Sequence, residues 1–189
     1  MRIILIGPPG AGKGTQARAL AKHLAVPHLS TGDLLRQEIH AGTALGEVAK
    51  QYLDAGQLVP DKLVFQVLEH RLNQPDCEQG SLLDGFPRTL SQAGVLADYL
   101  DRIGKPLTGA IELRVDDEEI VRRLAGRLRS DDQPHIIRER MAGFRRQTEP
   151  LVEYYRQRHL LQSIDGLGTI DEVFQRLVEA VQHLDVVKQ

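Results

Sequence analysis

An apolar run, Ile3-Ile4-Leu5-Ile6, is followed directly by Gly7-Pro8-Pro9-Gly10-Ala11-Gly12-Lys13-Gly14-Thr15, and then by a helix-period stretch from Lys13 to Leu24. Strand, glycine-rich loop and helix in that order are the setting a phosphate-binding loop requires. Glycines let the backbone curl until several N–H groups point at one anion. The helix start adds the positive end of its dipole, and Lys13 adds a mobile full charge. A plain tight turn explains the glycines, but not the lysine at the mouth of the helix. One feature departs from the general pattern: Gly14 stands between Lys13 and the hydroxyl of Thr15. Direct ligation of a metal by that hydroxyl is therefore less expected here.

The rest of the chain repeats the alternation. Val26 to Leu29, Ser81-Leu82-Leu83 and Ala110 to Val115 read as further strands, with a weaker fifth at Leu160 to Ile164. Helical segments lie between them. Asp116 with Glu119, and Thr169 with Glu172, have the spacing of capping boxes. Ile170, Val173, Phe174, Leu177, Val178, Val181 and Leu184 form one apolar stripe on the last helix. Another helix is expected to begin near Pro134, with a break at Pro150. The pattern predicts an α/β fold: a five-stranded parallel sheet with helices on both faces. From Thr31 to Asn73 the rhythm changes to helix upon helix (33–41, 45–55, 63–72), punctuated by Gly42 and Gly56. Such an excursion suggests a small helical insert over the sheet edge where ligands bind.

Composition narrows the function classes. At 189 residues one domain is expected, and such a chain buries roughly 70% of its unfolded surface. Lys+Arg 24 against Asp+Glu 26 is too balanced for a protein that coats nucleic acid. The single cysteine, Cys77, excludes an internal disulfide and a four-cysteine zinc site. It lies in a polar stretch with no basic neighbour in sequence to lower its pKa. No apolar run has the length of a signal or membrane segment, so a cytoplasmic protein with no membrane partner is expected. The histidines (His23, His28, His40, His70, His135, His159, His183) form no metal spacing and read as structural or solvent-facing.

Four segments, taken in order, carry a family resemblance. Gly7 to Thr15 is similar to the loop of adenylate kinases and their nucleoside-monophosphate kinase relatives. Ser30-Thr31-Gly32-Asp33-Leu34-Leu35-Arg36 resembles the start of their monophosphate-binding subdomain. Asp84-Gly85-Phe86-Pro87-Arg88-Thr89 resembles the segment after their third strand. Arg127-Leu128-Arg129-Ser130-Asp131-Asp132, with Arg140 beyond it, resembles their short lid and the arginines beside it. The resemblance covers essentially the whole chain. It implies a P-loop NTPase-type core (1–29, 60–125, 137–189), a monophosphate-binding subdomain (30–59) and a short lid (126–136) with no room for structural zinc. The activity implied is ATP:AMP phosphotransfer, MgATP + AMP ⇌ 2 ADP, by a monomer serving adenine-nucleotide homeostasis and salvage.

That chemistry asks little of a general base, because a phosphomonoester is largely ionised at neutral pH, its second pKa being near ~6. Catalysis becomes alignment and neutralisation of crowded negative charge. Between positions 122 and 158 there are ten arginines against five carboxylates. Guanidinium suits phosphoryl oxygens, although most helical arginines are solvated face. The resemblance selects Lys13, Arg88, Arg123, Arg127, Arg129 and Arg140 as catalytic. It implies ATP binding by Gly10, Ala11, Gly12, Lys13, Gly14, Thr15, Arg127 and Gly168. For AMP it implies Thr31, Arg36, the turn Gln57-Leu58-Val59, Gly85, Phe86, Pro87, Arg88, Gln92, Arg129 and Arg140. Asp84 is implied as an outer-sphere carboxylate for Mg²⁺.

Some of these residues have plainer uses. Arg36 and Arg88 suit surface ion pairs. Thr89 with Gln92 is itself a capping box, which competes with an adenine contact for the Gln92 side chain. Asp131 and Asp132 suit a helix start, and Gly56 to Pro60 a helix stop. The neighbouring alternative is a UMP or CMP kinase. Those relatives usually carry alanine at the Thr31 position, so Thr31 with Gln92 favours AMP. A GTPase-like switch would need an Asn-Lys-x-Asp segment, which this sequence lacks.

Overall fold

The computed structural model describes residues 1–125 and 133–186. Arg127, Arg129, Asp131 and Asp132 lie outside the described residues. Five strands form one parallel sheet: β1 (Arg2–Ile6), β2 (His28–Ser30), β3 (Ser81–Asp84), β4 (Gly109–Arg114) and β5 (Leu161–Asp165), in the order β2-β3-β1-β4-β5. Every strand expected from the sequence is present, and the sheet is parallel throughout.

The unbroken apolar run of β1 follows from its place at the centre. Ile3 and Leu5 enter one core cluster, while Ile4 and Ile6 enter the other, so the period of two serves both faces. On the first face the sheet is covered by α1 (Lys13–His23) and α9 (Ile170–Val186), through Ala17, Leu20, Val173 and Leu177. The second face is covered by α4 (Asp61–Leu72), α5 (Leu90–Arg102) and α8 (Pro150–Arg156), through Leu68, Leu96 and Leu151. The helical excursion is α2 (Thr31–His40), α3 (Ala44–Asp54) and α4.

Element boundaries differ from expectation for local reasons. Strand β2 begins at His28 because Val26 spends its N–H on Ala21 O at the tail of α1 (3.0 Å). Helix α2 starts at Thr31, two residues early, because the Ser30 hydroxyl accepts from Asp33 N–H and makes Ser30 the cap. Helix α4 also starts early, at Asp61, where an acidic first residue suits the dipole. The break expected at Pro150 falls upstream. Helix α7 (Pro134–Gly143) widens over Phe144–Thr148, and Glu149 N–H reaches back five residues to Phe144 O at 2.9 Å. Pro150 has no N–H, and its ring crowds the carbonyl four residues back, so the wider turn absorbs the misfit before α8 begins.

The Thr169–Glu172 box is complete, each residue receiving an N–H from the other's backbone. At Asp116 only half forms. Asp116 accepts from Glu119 N–H (2.8 Å), but the Glu119 side chain goes elsewhere, as described below.

Candidate active site

The register places the ends of three strands together. Leu5 lies beside Asp84, and Ser30 lies beside Asp84 on the other side. From this edge the chain leaves β1 toward β2 but leaves β3 toward β4, so the crevice opens between the loops after β1 and β3. Both loops are segments singled out from the sequence.

The loop after β1 arrives at α1 through Gly12, whose φ is 92°, and no side chain caps the helix. The first turn of α1 carries no acidic residue, while Lys22 and His23 sit in its last turn. An uncapped, positively biased helix start is left for an anion. Gly10 has φ +86°, and a Cβ there would lie 2.9 Å from Leu124 Cγ, so the loop packs against α6 (Asp117–Ala125) only as glycine. Lys13 Nζ lies across the loop, donating to Gly7 O (2.6 Å) and Pro8 O (2.9 Å).

After β3, Gly85 has φ +84°, and a Cβ would meet Thr31 Oγ1 at 2.9 Å. Arg88 Nε donates to Gly85 O at 2.8 Å. The Arg88 backbone is held at both ends. Its N–H donates to Gln92 Oε1 (2.7 Å), and its carbonyl accepts from the Thr148 hydroxyl (3.0 Å).

Asp84 is buried at the end of β3, where His28 Nε2 lies 3.3 Å from its Oδ2. Burial pushes its carboxyl up. The His28 hydrogen bond and the charges of Lys13, His28 and Arg88 outweigh burial and hold it below its ordinary value. Because the folded-state value is depressed, the stabilisation is complete above the unfolded-state value and is lost as pH falls through the folded one. Melting temperatures of wild type and Asp84→Asn, followed from neutral into acid, check this. The wild-type advantage is expected to shrink as pH drops below the usual carboxylate range; an advantage that grew in acid would contradict it.

Two adjoining chambers result, of about 470 Å³ and about 280 Å³. The larger is lined by Gly10 to Gln16, Arg123, Gly168 and Arg36, among others. Leu58, Pro87 and Phe144 are among the residues lining the smaller. Pro9, Lys13, Gly85, Arg88 and Arg140, with Gly56 and Gln57, line both. Cations thus stand where the chambers meet.

A family model for adenylate kinase matches residues 5–160. The chain belongs to the adenylate kinase family. Adenylate kinases of Mycobacteroides abscessus, Mycolicibacterium smegmatis and Mycobacterium tuberculosis are 50%, 49% and 49% identical to it over 181 residues, covering 96% of this chain and 99% of each relative.

Within this adenylate kinase fold the site residues expected from sequence divide. Gly10 to Thr15, Arg36, Gln57, Leu58, Asp84, Gly85, Pro87, Arg88, Arg123, Arg140 and Gly168 all line a chamber. Thr31, Val59, Phe86 and Gln92 are buried and do not. Phe86 is fully buried in the core, its ring 6.1 Å from that of Phe65. Arg36 pairs with Asp33 on an exposed face and also lines the larger chamber.

Several residues make contacts that their sequence reading does not contain. His28, read as structural or solvent-facing, is the partner of Asp84; only the β2–β3 pairing reveals it. Glu119 Oε1 accepts from Arg123 Nε at 2.6 Å and from Arg122 Nη2 at 2.7 Å. The hydrogen bonds from Arg122 and Arg123 bring its carboxyl down to about 2. Held this way, Arg123 also donates to Ala11 O (3.2 Å) and Gly166 O (2.9 Å), tying α6 to the loop after β1 and the loop after β5. Cys77 corrects the sequence reading. It is buried in the core and does have a basic neighbour, with Arg71 Nη1 3.1 Å from its sulfur. Burial still dominates and pushes the thiol up.

Proposed function

We propose that the chain transfers a phosphoryl group reversibly from MgATP to AMP, giving two ADP, with the donor phosphates in the cradle of Gly10 to Thr15 and the acceptor on the side of Arg36, Arg88 and Arg140. The observation that carries this is the common wall of the two chambers, with Lys13, Arg88 and Arg140 on it. A phosphate chain spanning both would meet those cations where charge builds up in the transition state. The backbone N–H groups of Gly10 to Thr15 hold the donor phosphates, and Lys13 leaves its loop carbonyls to follow the transferred group. Arg123, beside Ala11 and Gly166, and Gly168 border the donor site. Arg36, Arg88 and Arg140 hold the AMP phosphate. Gln57, Leu58 and Val59, with Thr31, Gly85, Phe86, Pro87 and Gln92, form the surroundings of the base. Arg127 and Arg129, outside the described residues, join the phosphate ligands on the family resemblance, and the segments 30–59 and 126–136 act as the monophosphate-binding subdomain and the lid.

Among the described residues no group of three His, Cys, Asp or Glu side chains is placed to hold a metal. One buried carboxylate, Asp84, lines the larger chamber with Thr15. That set fits a Mg²⁺ that arrives on phosphates and keeps its waters, rather than one caged by protein. Bound with the nucleotide, such an ion would neutralise charge on the donor phosphates; Asp84 would hold it through water, and His28 positions that carboxylate.

No described helix is long and apolar enough to cross a membrane. The proposal includes a monomer acting in the cytoplasm, checked by sedimentation of the pure chain and by cell fractionation.

The deciding measurement is kcat/KM for AMP, GMP, UMP and CMP with ATP as donor. A preference for AMP of at least about tenfold is expected, since a site that hydrogen-bonds one base leaves polar groups unpaired with another. Equal use of UMP or CMP would overturn the adenylate assignment and leave the kinase class standing. A bisubstrate joining two adenosines through five phosphates is expected to bind far more tightly than AMP and to raise the melting temperature by mass action. Binding no tighter than AMP would contradict two facing sites.

A further inference from the structure

The Gln92 side chain is buried, and both ends of its carboxamide are engaged. Oε1 accepts from Arg88 N–H at 2.7 Å, and Nε2 donates to Asp61 Oδ1 at 2.7 Å. Asp61 Oδ2 also accepts from the Thr89 hydroxyl at 3.3 Å. Thr89 in turn caps α5 by accepting from Gln92 N–H at 3.1 Å. The capping pair read from the sequence is therefore altered: the glutamine reaches the N–H of Arg88, one residue before the cap, and its amino end goes to a different helix.

An ionised carboxylate can only accept, and a backbone N–H can only donate. Turning the carboxamide over would set oxygen against oxygen at Asp61 and N–H against N–H at Arg88. The amide is held one way round by both partners. A carboxamide has two donor and two acceptor positions, so one N–H and one lone pair remain, in a defined order. Adenine presents a ring-nitrogen acceptor beside an amino donor, which matches a neighbouring N–H and lone pair held in that order. Purines with a 6-oxo group present a ring N–H donor beside a carbonyl acceptor, the reverse order, and would need the amide turned over.

We propose that Asp61 is a specificity-determining positioning residue, which locks the Gln92 carboxamide so that the acceptor site takes a 6-amino purine and disfavours a 6-oxo purine. This rests on the assignment of Gln92 to the acceptor base made above. Asp61 touches no phosphate-handling side chain in the described contacts. Arg88 keeps its own anchors at Gly85 and Thr148 without it. Its effect therefore belongs to recognition of the base and not to the chemical step.

Initial rates with AMP and with IMP as acceptor, ATP as donor, test this in Asp61→Ala, Asp61→Asn and Gln92→Ala. In Asp61→Ala the KM for AMP is expected to rise about tenfold, the scale of one hydrogen bond to a charged group, with kcat within about twofold. The AMP:IMP ratio of kcat/KM falls about tenfold, and the KM for ATP does not move. Asp61→Asn, whose carbonyl oxygen still accepts from Nε2, stays within about threefold of wild type. Should Asp61→Ala fail to fold, Asp61→Ser repeats the measurement with a shorter side chain that keeps a polar helix start. An unchanged ratio in the folded Asp61 variant, with a lowered ratio in Gln92→Ala, overturns the role of Asp61 and leaves Gln92 as the base contact. An unchanged ratio in both overturns the Gln92 assignment as well. Equal rises in KM for AMP and ATP, or an Asp61→Asn as impaired as Asp61→Ala, would show only general loosening and also overturn it.

Discussion

Lys13→Ala is expected to lower kcat by about 10²–10³, the loss that follows removal of a preorganised donor aimed at transition-state charge, roughly 3–4 kcal/mol. In this structure Nζ rests on the carbonyls of Gly7 and Pro8 and lines both chambers. It is a charge held where the two chambers meet, on a stem long enough to move. Binding of either nucleotide alone is expected to weaken less than turnover, because the backbone cradle of Gly10 to Thr15 is untouched. Melting temperature is expected to change by only a few degrees, since the loop contributes little apolar packing. Steady-state rates with saturating ATP and AMP decide the matter; a variant with near-normal turnover would remove Lys13 from the chemistry.

Phe86→Ala is expected to act on the other ledger, stability. The ring is fully buried in the core cluster on the α4, α5 and α8 face of the sheet, against Phe65. Truncating a buried phenylalanine costs about 3–5 kcal/mol, through lost transfer energy and the cavity left behind. For a chain of this size that corresponds to a fall in melting temperature of about 6–20 °C. Urea unfolding of wild type and variant measures it directly. A loss below about 1 kcal/mol would place the ring outside the core. Any effect of this variant on the proposed acceptor site is expected to follow from displacement of its neighbours Gly85 and Arg88.

These two residues show what was legible in the sequence. Lys13 announces itself because a P-loop is local: strand, glycines, lysine and helix are consecutive, and each has one physical reason to be there. The strand run Ile3 to Ile6 was equally plain, since a central parallel strand is apolar on both faces. Phe86 was placed beside a ligand by its motif, yet burial belongs to the tertiary structure, which a motif does not contain. His28 and Asp61 were missed for the same reason. Each acts on a side chain far away in sequence, Asp84 and Gln92, and no spacing rule encodes a partner 56 or 31 residues distant. Helix starts shifted where a cap was not the expected residue, as at Ser30, and the wide turn at Phe144–Thr148 moved the Pro150 break upstream.

The strand order has a consequence for synthesis. Strand β1 is the middle of the sheet, but its neighbours are β3, with Arg2 beside Ser81, and β4, with Ile3 beside Gly109. As the chain leaves the ribosome, Ile3 to Ile6 therefore emerges long before anything it can pair with. The first helix can form early, but the sheet cannot close until Arg114 is out, and its last edge waits for Asp165. Parallel pairing at such long range makes folding slow relative to a helical bundle of this size. Until then a bare apolar strand is open to self-association and to chaperones that bind such segments. Released chains truncated between residues 84 and 109 hold β3 but lack β4, so one edge of β1 stays unpaired, and they are expected to aggregate more than the full-length chain.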